Sequence, residues 1–160
     1  MSEAYVLALG SNMRVPGIGG PRAVIAAALI ALEHEGIALR VASRIVDSAP
    51  VGPSRRRYTN AAVVVETELA PPELLTRLQQ IERAFGRNRR GQPWRARPLD
   101  LDIVAWNGGI WVSPGLVVPH PRFRERGFVL TPAAQIAPAW RDPVSGLTLR
   151  QLAARAALAR

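Results

Sequence analysis

The chain has 160 residues, 48% of them hydrophobic, with a formal charge of +9 and a pI of about 11.6. That is the length of one ordinary domain, 1–160, apolar enough to bury a core and too apolar for disorder. It has no cysteine, so disulfides and thiolate metal sites are excluded, and its 21 basic residues are all arginine, so a Walker A loop and a lysine Schiff base are excluded too.

In chain order, AYVLALG (4–10) reads as a buried strand ending at Gly10, followed by the Gly/Pro-rich loop SNMRVPGIGGPR. PRAVIAAALIALEHEG (21–36) predicts a helix, with Pro21 in its first turn and Gly36 as its stop. IALRVASRIVDS (37–48) alternates apolar and polar residues, as a single half-buried strand does. After the loop 49–57, YTNAAVVVETEL (58–69) is a β-branched strand. PPELLTRLQQIERAFG (71–86) predicts a second helix, its Leu74, Leu75, Leu78, Ile81 and Phe85 at helical spacing. PLDLDIVAW (98–106) is a strand, NGG a turn, and IWVS (110–113) its expected short partner. VVPHPRFRERG is expected to be a loop. FVLTPAAQIAP begins a helical stretch, interrupted or started near Pro132, and TLRQLAARAALAR (148–160) is a terminal helix with its stripe at Leu149, Leu152, Ala153 and Ala156. The order β-α-β-β-α-β is that of an α/β (α+β) ferredoxin-like core with additional C-terminal helices and a short extra hairpin. No signal peptide or membrane span is visible, so a cytoplasmic location and no membrane partner are expected.

The chemistry concentrates between residues 83 and 106. Six arginines occupy Arg83 to Arg97, and the strand that follows carries Asp100 and Asp102. Residues i and i+2 of a strand share a face, so the two carboxylates point the same way, roughly 7 Å apart at Cα. Leu99, Leu101 and Ile103 then point into a core. Paired carboxylates call for a cation. A hard divalent ion such as Mg²⁺ is one, and neighbouring arginines are another. Arg87, Arg89, Arg90, Arg95 and Arg97 have few apolar anchors around them, and guanidinium forks suit phosphate oxygens. Acid for a metal beside base for phosphate is the layout of a nucleotide phosphoryl-transfer site. Nucleic acid is the rival polyanion. Only 6% of residues are aromatic and no strand carries an RNA-stacking motif, so no nucleic-acid partner is expected.

LGSN near the N-terminus, PVG, YTNAAVVVET, PPELLTRLQQIERAFGR, RPLDLDI and VPHPRFRERGFVLTPAAQIAP, in this order, resemble the 6-hydroxymethyl-7,8-dihydropterin pyrophosphokinase family of folate biosynthesis. The resemblance covers nearly the whole chain. It implies transfer of the β,γ-diphosphate of ATP to the hydroxymethyl group of the pterin, with release of AMP, and two Mg²⁺ ions held by Asp100 and Asp102. It implies Arg87 and Arg97 as triphosphate-handling catalytic residues. It places Arg89, Arg90 and Trp94 in a loop over the substrates, and Gln79, Glu82, Ile103, His120 and Arg126 around ATP. For the pterin it implies Ser48, Val51 and Asn60 as backbone and side-chain contacts to the heterocycle and Tyr58 and Phe128 as stacking plates. ATP and the pterin are thus the expected partners, and a monomer the expected state. The chain departs from the family pattern at Pro93 and Arg95 beside Trp94, in the basic SRRRY before the pterin strand, and in MRVPGIGGPR after GSN. The resemblance sets those loops beside the pterin and triphosphate sites, where altered affinity and acceptance of a related pterin are the two open alternatives.

Overall fold

In the computed structural model, residues 2–48, 58–86 and 97–159 are described. The strand β1 (Glu3–Ser11) leads into helix α1 (Pro21–His34), then β2 (Ala38–Ala42), β3 (Val46–Ser48) and β4 (Tyr58–Thr67). Helix α2 (Pro71–Ala84) and strand β5 (Asp100–Trp106) complete the core. A hairpin of β6 (Trp111–Ser113) and β7 (Leu116–Val118), helix α3 (Gly127–Ile136) and helix α4 (Leu149–Leu158) follow. The main sheet runs β2-β4-β1-β5 with antiparallel neighbours, and β3 also pairs with β4. This is the ferredoxin-like α+β order, with α1 and α2 on one face and α3 and α4 on the other.

Local chemistry sets the helix ends. Pro21 and Pro71 open α1 and α2, where a missing N–H is not needed, and Gly36 and Gly86 close them at positive φ, 77° and 94°. Thr148 and Gln151 cap α4 reciprocally: Gln151 N–H donates to Thr148 Oγ1 at 3.1 Å, and Thr148 N–H donates to Gln151 Oε1 at 2.9 Å. Leu74, Leu78 and Ile81 bury the stripe of α2 against Leu7, Leu9, Leu101 and Ile103. The second core packs Val6, Ala8, Ala62 and Val104 under Phe123, Leu130, Leu149 and Leu152.

Three expectations need correction. The single strand 37–48 is two strands. Its ladder is interrupted at Ser43, whose N–H donates to Ala62 O at 2.8 Å while its hydroxyl accepts Ala62 N–H at 2.8 Å. A serine side chain that takes over a ladder bond ends regular pairing there. The partner of β6 is β7, inside the stretch expected to be loop, and not β5. Pro114 and Gly115, the latter at φ 77°, make the tight turn that folds β6 back on β7. Trp106 and Trp111 meet edge-to-face at 5.9 Å, which seats this hairpin beside β5. Finally, α3 starts at Gly127 and runs through Pro132. Pro132 is buried, and its missing N–H leaves the Phe128 carbonyl without its intrahelical donor.

Candidate active site

The period of a strand brings the candidate residues together. Gly10 on β1 pairs with Asn60 on β4 and with Asp100 on β5, and Ala8 pairs with Asp102. Asn60 pairs in turn with Val46, and Tyr58 with Ser48. By alternation, Ser48, Tyr58, Asn60, Gly10, Asp100 and Asp102 form one band across one end of the sheet, on the face covered further along by α3. Asp100 and Asp102 are partly exposed, and Leu101 and Ile103 between and beyond them are buried on the opposite face. This confirms the facing read from the alternation.

At the β5 side the band is charged, with arginine beside carboxylate. Arg97 Nη1 stands 3.3 Å from Asp100 Oδ1. Asn12, two residues after Gly10, holds the Arg97 backbone on both sides: Arg97 N–H donates to Asn12 Oδ1 at 2.6 Å, and Asn12 N–H donates to Arg97 O at 3.0 Å. Asn12 thus fixes the residue from which the Arg97 side chain departs. His120 is tied to β5 through its N–H to Val104 O at 3.0 Å, and its Nδ1 accepts Arg122 N–H at 3.1 Å. Burial lowers the His120 pKa. The negative charge of Asp102 opposes that, and Arg126 and Arg122 add to it, so the ring is neutral at pH 7. Arg126 lies 5.8 Å from the Phe128 ring centroid, at the start of α3.

At the β4 side the band is polar and neutral. Asn60 is 7% exposed, and its Nδ2 donates to Ser48 Oγ at 2.9 Å. Ser48 Oγ donates in turn to Tyr58 O at 3.4 Å. This chain orients the Asn60 amide and leaves its Oδ1 facing Gly10. Tyr58 is half-buried beside Ser48, and Phe128 packs partly against the second core.

Two expected ATP positions stand elsewhere. Ile103 is buried in the core behind the sheet, and Gln79 is half-buried on α2, in that same helical layer. Glu82 is neither a surface residue nor exposed: it is 4% exposed, and its Oε2 accepts the N–H of Leu101 at 2.8 Å. β5 is the edge of the sheet, so this bond satisfies an outward N–H that lies between the two aspartates. Val51, Arg87, Arg89, Arg90 and Trp94 lie outside the described residues. Sequence reasoning assigned no role to Gly10 or Asn12. Both lie in the LGSN motif, which was the available signal.

Among the described residues there is no cluster of three or more His, Asp or Glu side chains able to hold a metal ion. Asp100 and Asp102 are a pair of carboxylates on one face. The pair suits a hard cation that completes its shell from water and ligand oxygens, as Mg²⁺ does on a triphosphate. No helix among the described residues is long and apolar enough to cross a membrane.

Residues 6–138 match the family described as 7,8-dihydro-6-hydroxymethylpterin-pyrophosphokinase (HPPK). A Synechocystis sp. 2-amino-4-hydroxy-6-hydroxymethyldihydropteridine pyrophosphokinase is 40% identical over 148 residues, 92% of this chain and 73% of its own. The Bacillus subtilis protein of the same name is 40% identical over 139 residues, 85% of this chain and 79% of its own. That of Methylorubrum extorquens is 39% identical over 160 residues, 97% of this chain and 94% of its own. Among solved structures, Plasmodium falciparum HPPK-DHPS superposes with a TM-score of 0.71 at 14% identity, over 97% of this chain. This chain spans 45% of that longer one, and the likeness shows a shared fold.

Proposed function

The chain belongs to the 7,8-dihydro-6-hydroxymethylpterin-pyrophosphokinase family, and on that premise we propose how its residues divide the reaction. The activity is transfer of diphosphate from ATP to the hydroxymethyl group of 6-hydroxymethyl-7,8-dihydropterin, in folate biosynthesis. The hydroxymethyl oxygen forms a bond to the β-phosphorus. The bond from that phosphorus to the α,β-bridging oxygen breaks, AMP leaves with the electron pair, and the hydroxyl proton is released.

The observation that carries the division is the single band with carboxylates at one end and an oriented amide at the other. Asp100 and Asp102 would hold two Mg²⁺ ions, which would offset negative charge on the triphosphate. Arg97, fixed by Asn12 and placed beside Asp100, meets the phosphate oxygens with its guanidinium. His120 and Arg126 flank the same end. Neutral His120 offers a ring N–H without adding charge beside Arg126 and Arg122. Arg87, Arg89, Arg90 and Trp94 are assigned to the triphosphate on the family resemblance, and Gln79 and Glu82 lie on α2, on the opposite side of the sheet. At the other end, Asn60 and Ser48, with Val51, bind the polar edge of the pterin, and Tyr58 and Phe128 stack on its faces. Glu82 acts through β5, by holding Leu101 between the two metal ligands. The chain works as one domain, as a monomer, in the cytoplasm.

The test is a rate measurement with ATP, Mg²⁺ and the reduced hydroxymethylpterin. AMP should form only when pterin and Mg²⁺ are both present. Asp100→Asn and Asp102→Asn should each reduce the rate by at least about a hundredfold. Near-normal rates in either variant would reject the aspartates as metal ligands.

A further inference from the structure

We propose that Gly10 is the floor of the pterin subsite, and that its missing side chain determines whether a flat heterocycle can reach Asn60 and the aspartates at once. This rests on the reading of the band as the substrate site. It assigns a specificity-determining role to a residue outside the carboxylate, arginine and aromatic sets.

The backbone does not require glycine here. Seven described glycines take positive φ, and Gly10 is not one of them. It sits within a nine-residue strand, paired on both sides, where glycine forfeits side-chain packing and costs more entropy to order than other residues. A glycine in such a place marks a close approach by something else.

The side chains of β1 shorten towards it on this face, from Val6 to Ala8 to Gly10, with Val64, Ala62 and Asn60 opposite them on β4. Val6, Ala8 and Ala62 lie in the second core. Along β1 the face therefore passes from packed hydrophobic core to bare backbone at the band. A methyl built on Gly10 would stand 3.3 Å from Asn60 Oδ1, 3.9 Å from Thr59 O and 4.0 Å from Asp100 Cβ. Gly10 is itself buried, and the proposed slot lies above it, between Asn60 and Asp100 on the flanking strands.

The chemistry of that slot is specific. Asn60 Nδ2 is committed to Ser48 Oγ, so the oxygen aimed across Gly10 is an acceptor. Asp100 borders the slot from the opposite strand. A planar ligand lying over Gly10 can give an N–H to Asn60 Oδ1 on one side and extend a hydroxymethyl arm towards the carboxylates on the other. A methyl at position 10 would stand where that ring edge must pass, while at the phosphate end it would make only an ordinary contact with Asp100 Cβ, at 4.0 Å.

Gly10→Ala is the decisive variant, assayed in the full chain against both substrates. The expected result is a fall of about tenfold or more in kcat/KM for the pterin, with KM for ATP within about twofold of the unsubstituted protein. Thermal stability should be little changed, since the methyl meets one tight contact and strand propensity improves. A kcat/KM for the pterin within about twofold of the original would overturn the proposal. A parallel loss for ATP would also overturn it, because that would mean a general disturbance of the strand. Should the variant not fold, the unsubstituted protein decides. In its saturated complex with the pterin and a non-hydrolysable ATP analogue, nuclear Overhauser contacts should link the Gly10 α-protons to the pterin. Saturation without such contacts overturns the floor alone. A chain that binds no pterin overturns this proposal and the reading of the site together.

Discussion

Replacing Asp142 with alanine should destabilise the fold far more than an ordinary loop substitution. Asp142 lies between α3 and α4, and its side chain is 0% exposed. Arg124 grips it bidentately, Nε at 2.6 Å from Oδ2 and Nη2 at 2.8 Å from Oδ1. Val144 N–H, Ser145 N–H and the Ser145 hydroxyl donate to it as well, at 3.1, 3.2 and 2.6 Å. Arg124 belongs to the 3-10 turn Phe123–Glu125, between His120 and Arg126, so the pair also ties the expected phosphate-side loop to the C-terminal segment. Removing one partner of a buried ion pair costs about 3–5 kcal/mol. Arg124 is 25% exposed, so water can reach the orphaned guanidinium, and the low end, about 3 kcal/mol, is expected. For a chain of this length that is a loss of about 6–12 °C in the thermal midpoint.

The pH dependence has a definite sign. Burial would raise the Asp142 pKa, but the bonds from Arg124, Ser145 and Val144 outweigh it and hold the carboxyl well below the usual carboxylate range. The unfolded chain therefore binds the proton more tightly, and the carboxylate's stabilisation is fully present above about pH 4. It is lost as pH falls through the lower, folded value. Calorimetry of Asp142→Ala, Arg124→Ala and the double variant at pH 7, repeated down to pH 2–3, measures both effects. The gap between the original and Asp142→Ala should narrow below about pH 4, and the double-variant cycle should show a coupling of at least about 1 kcal/mol. A midpoint loss under about 2 °C, or strictly additive single effects, would refute the reasoning.

Other substitutions separate the roles of neighbouring residues. Glu82→Ala leaves the buried Leu101 N–H without its acceptor, which costs about 1–3 kcal/mol, and should raise the Mg²⁺ concentration needed for half-maximal rate. Glu82→Gln keeps an acceptor oxygen and should largely restore that value; equal losses in both would mean that Glu82 acts by its charge. Asn60→Ala should raise KM for the pterin by about tenfold or more with ATP affinity unchanged, and an equal effect on both substrates in steady-state kinetics would contradict its placement at the pterin end. Thr148→Ala removes the α4 cap, costing about 1 kcal/mol or about 2–4 °C in a thermal melt without changing turnover. A turnover defect there would show that α4 bears on the site.

What could be read from the sequence was local or periodic. Pro21 and Gly36, or Pro71 and Gly86, bracket helices because each residue acts on its own backbone. Asp100 and Asp102 share a face because alternation is intrinsic to a strand. The features that were missed depend on distant partners. Ser43 breaks its strand by bonding Ala62, nineteen positions away. Glu82 reaches Leu101 around a sheet edge, and helical spacing could place it on α2 but could not show what lay opposite. Gly10 reads as a strand terminator until pairing puts Asn60 and Asp100 on either side of it. Asn12 gains meaning only when Arg97 returns beside it, 85 positions later.

Phosphorus NMR of a complete reaction with ATP, Mg²⁺ and 6-hydroxymethyl-7,8-dihydropterin tests the central claim most directly. Attack at the β-phosphorus requires AMP and a diphosphate ester of the pterin in equal amounts. Formation of ADP with a pterin monophosphate, or of AMP with free pyrophosphate and unchanged pterin, would contradict the account.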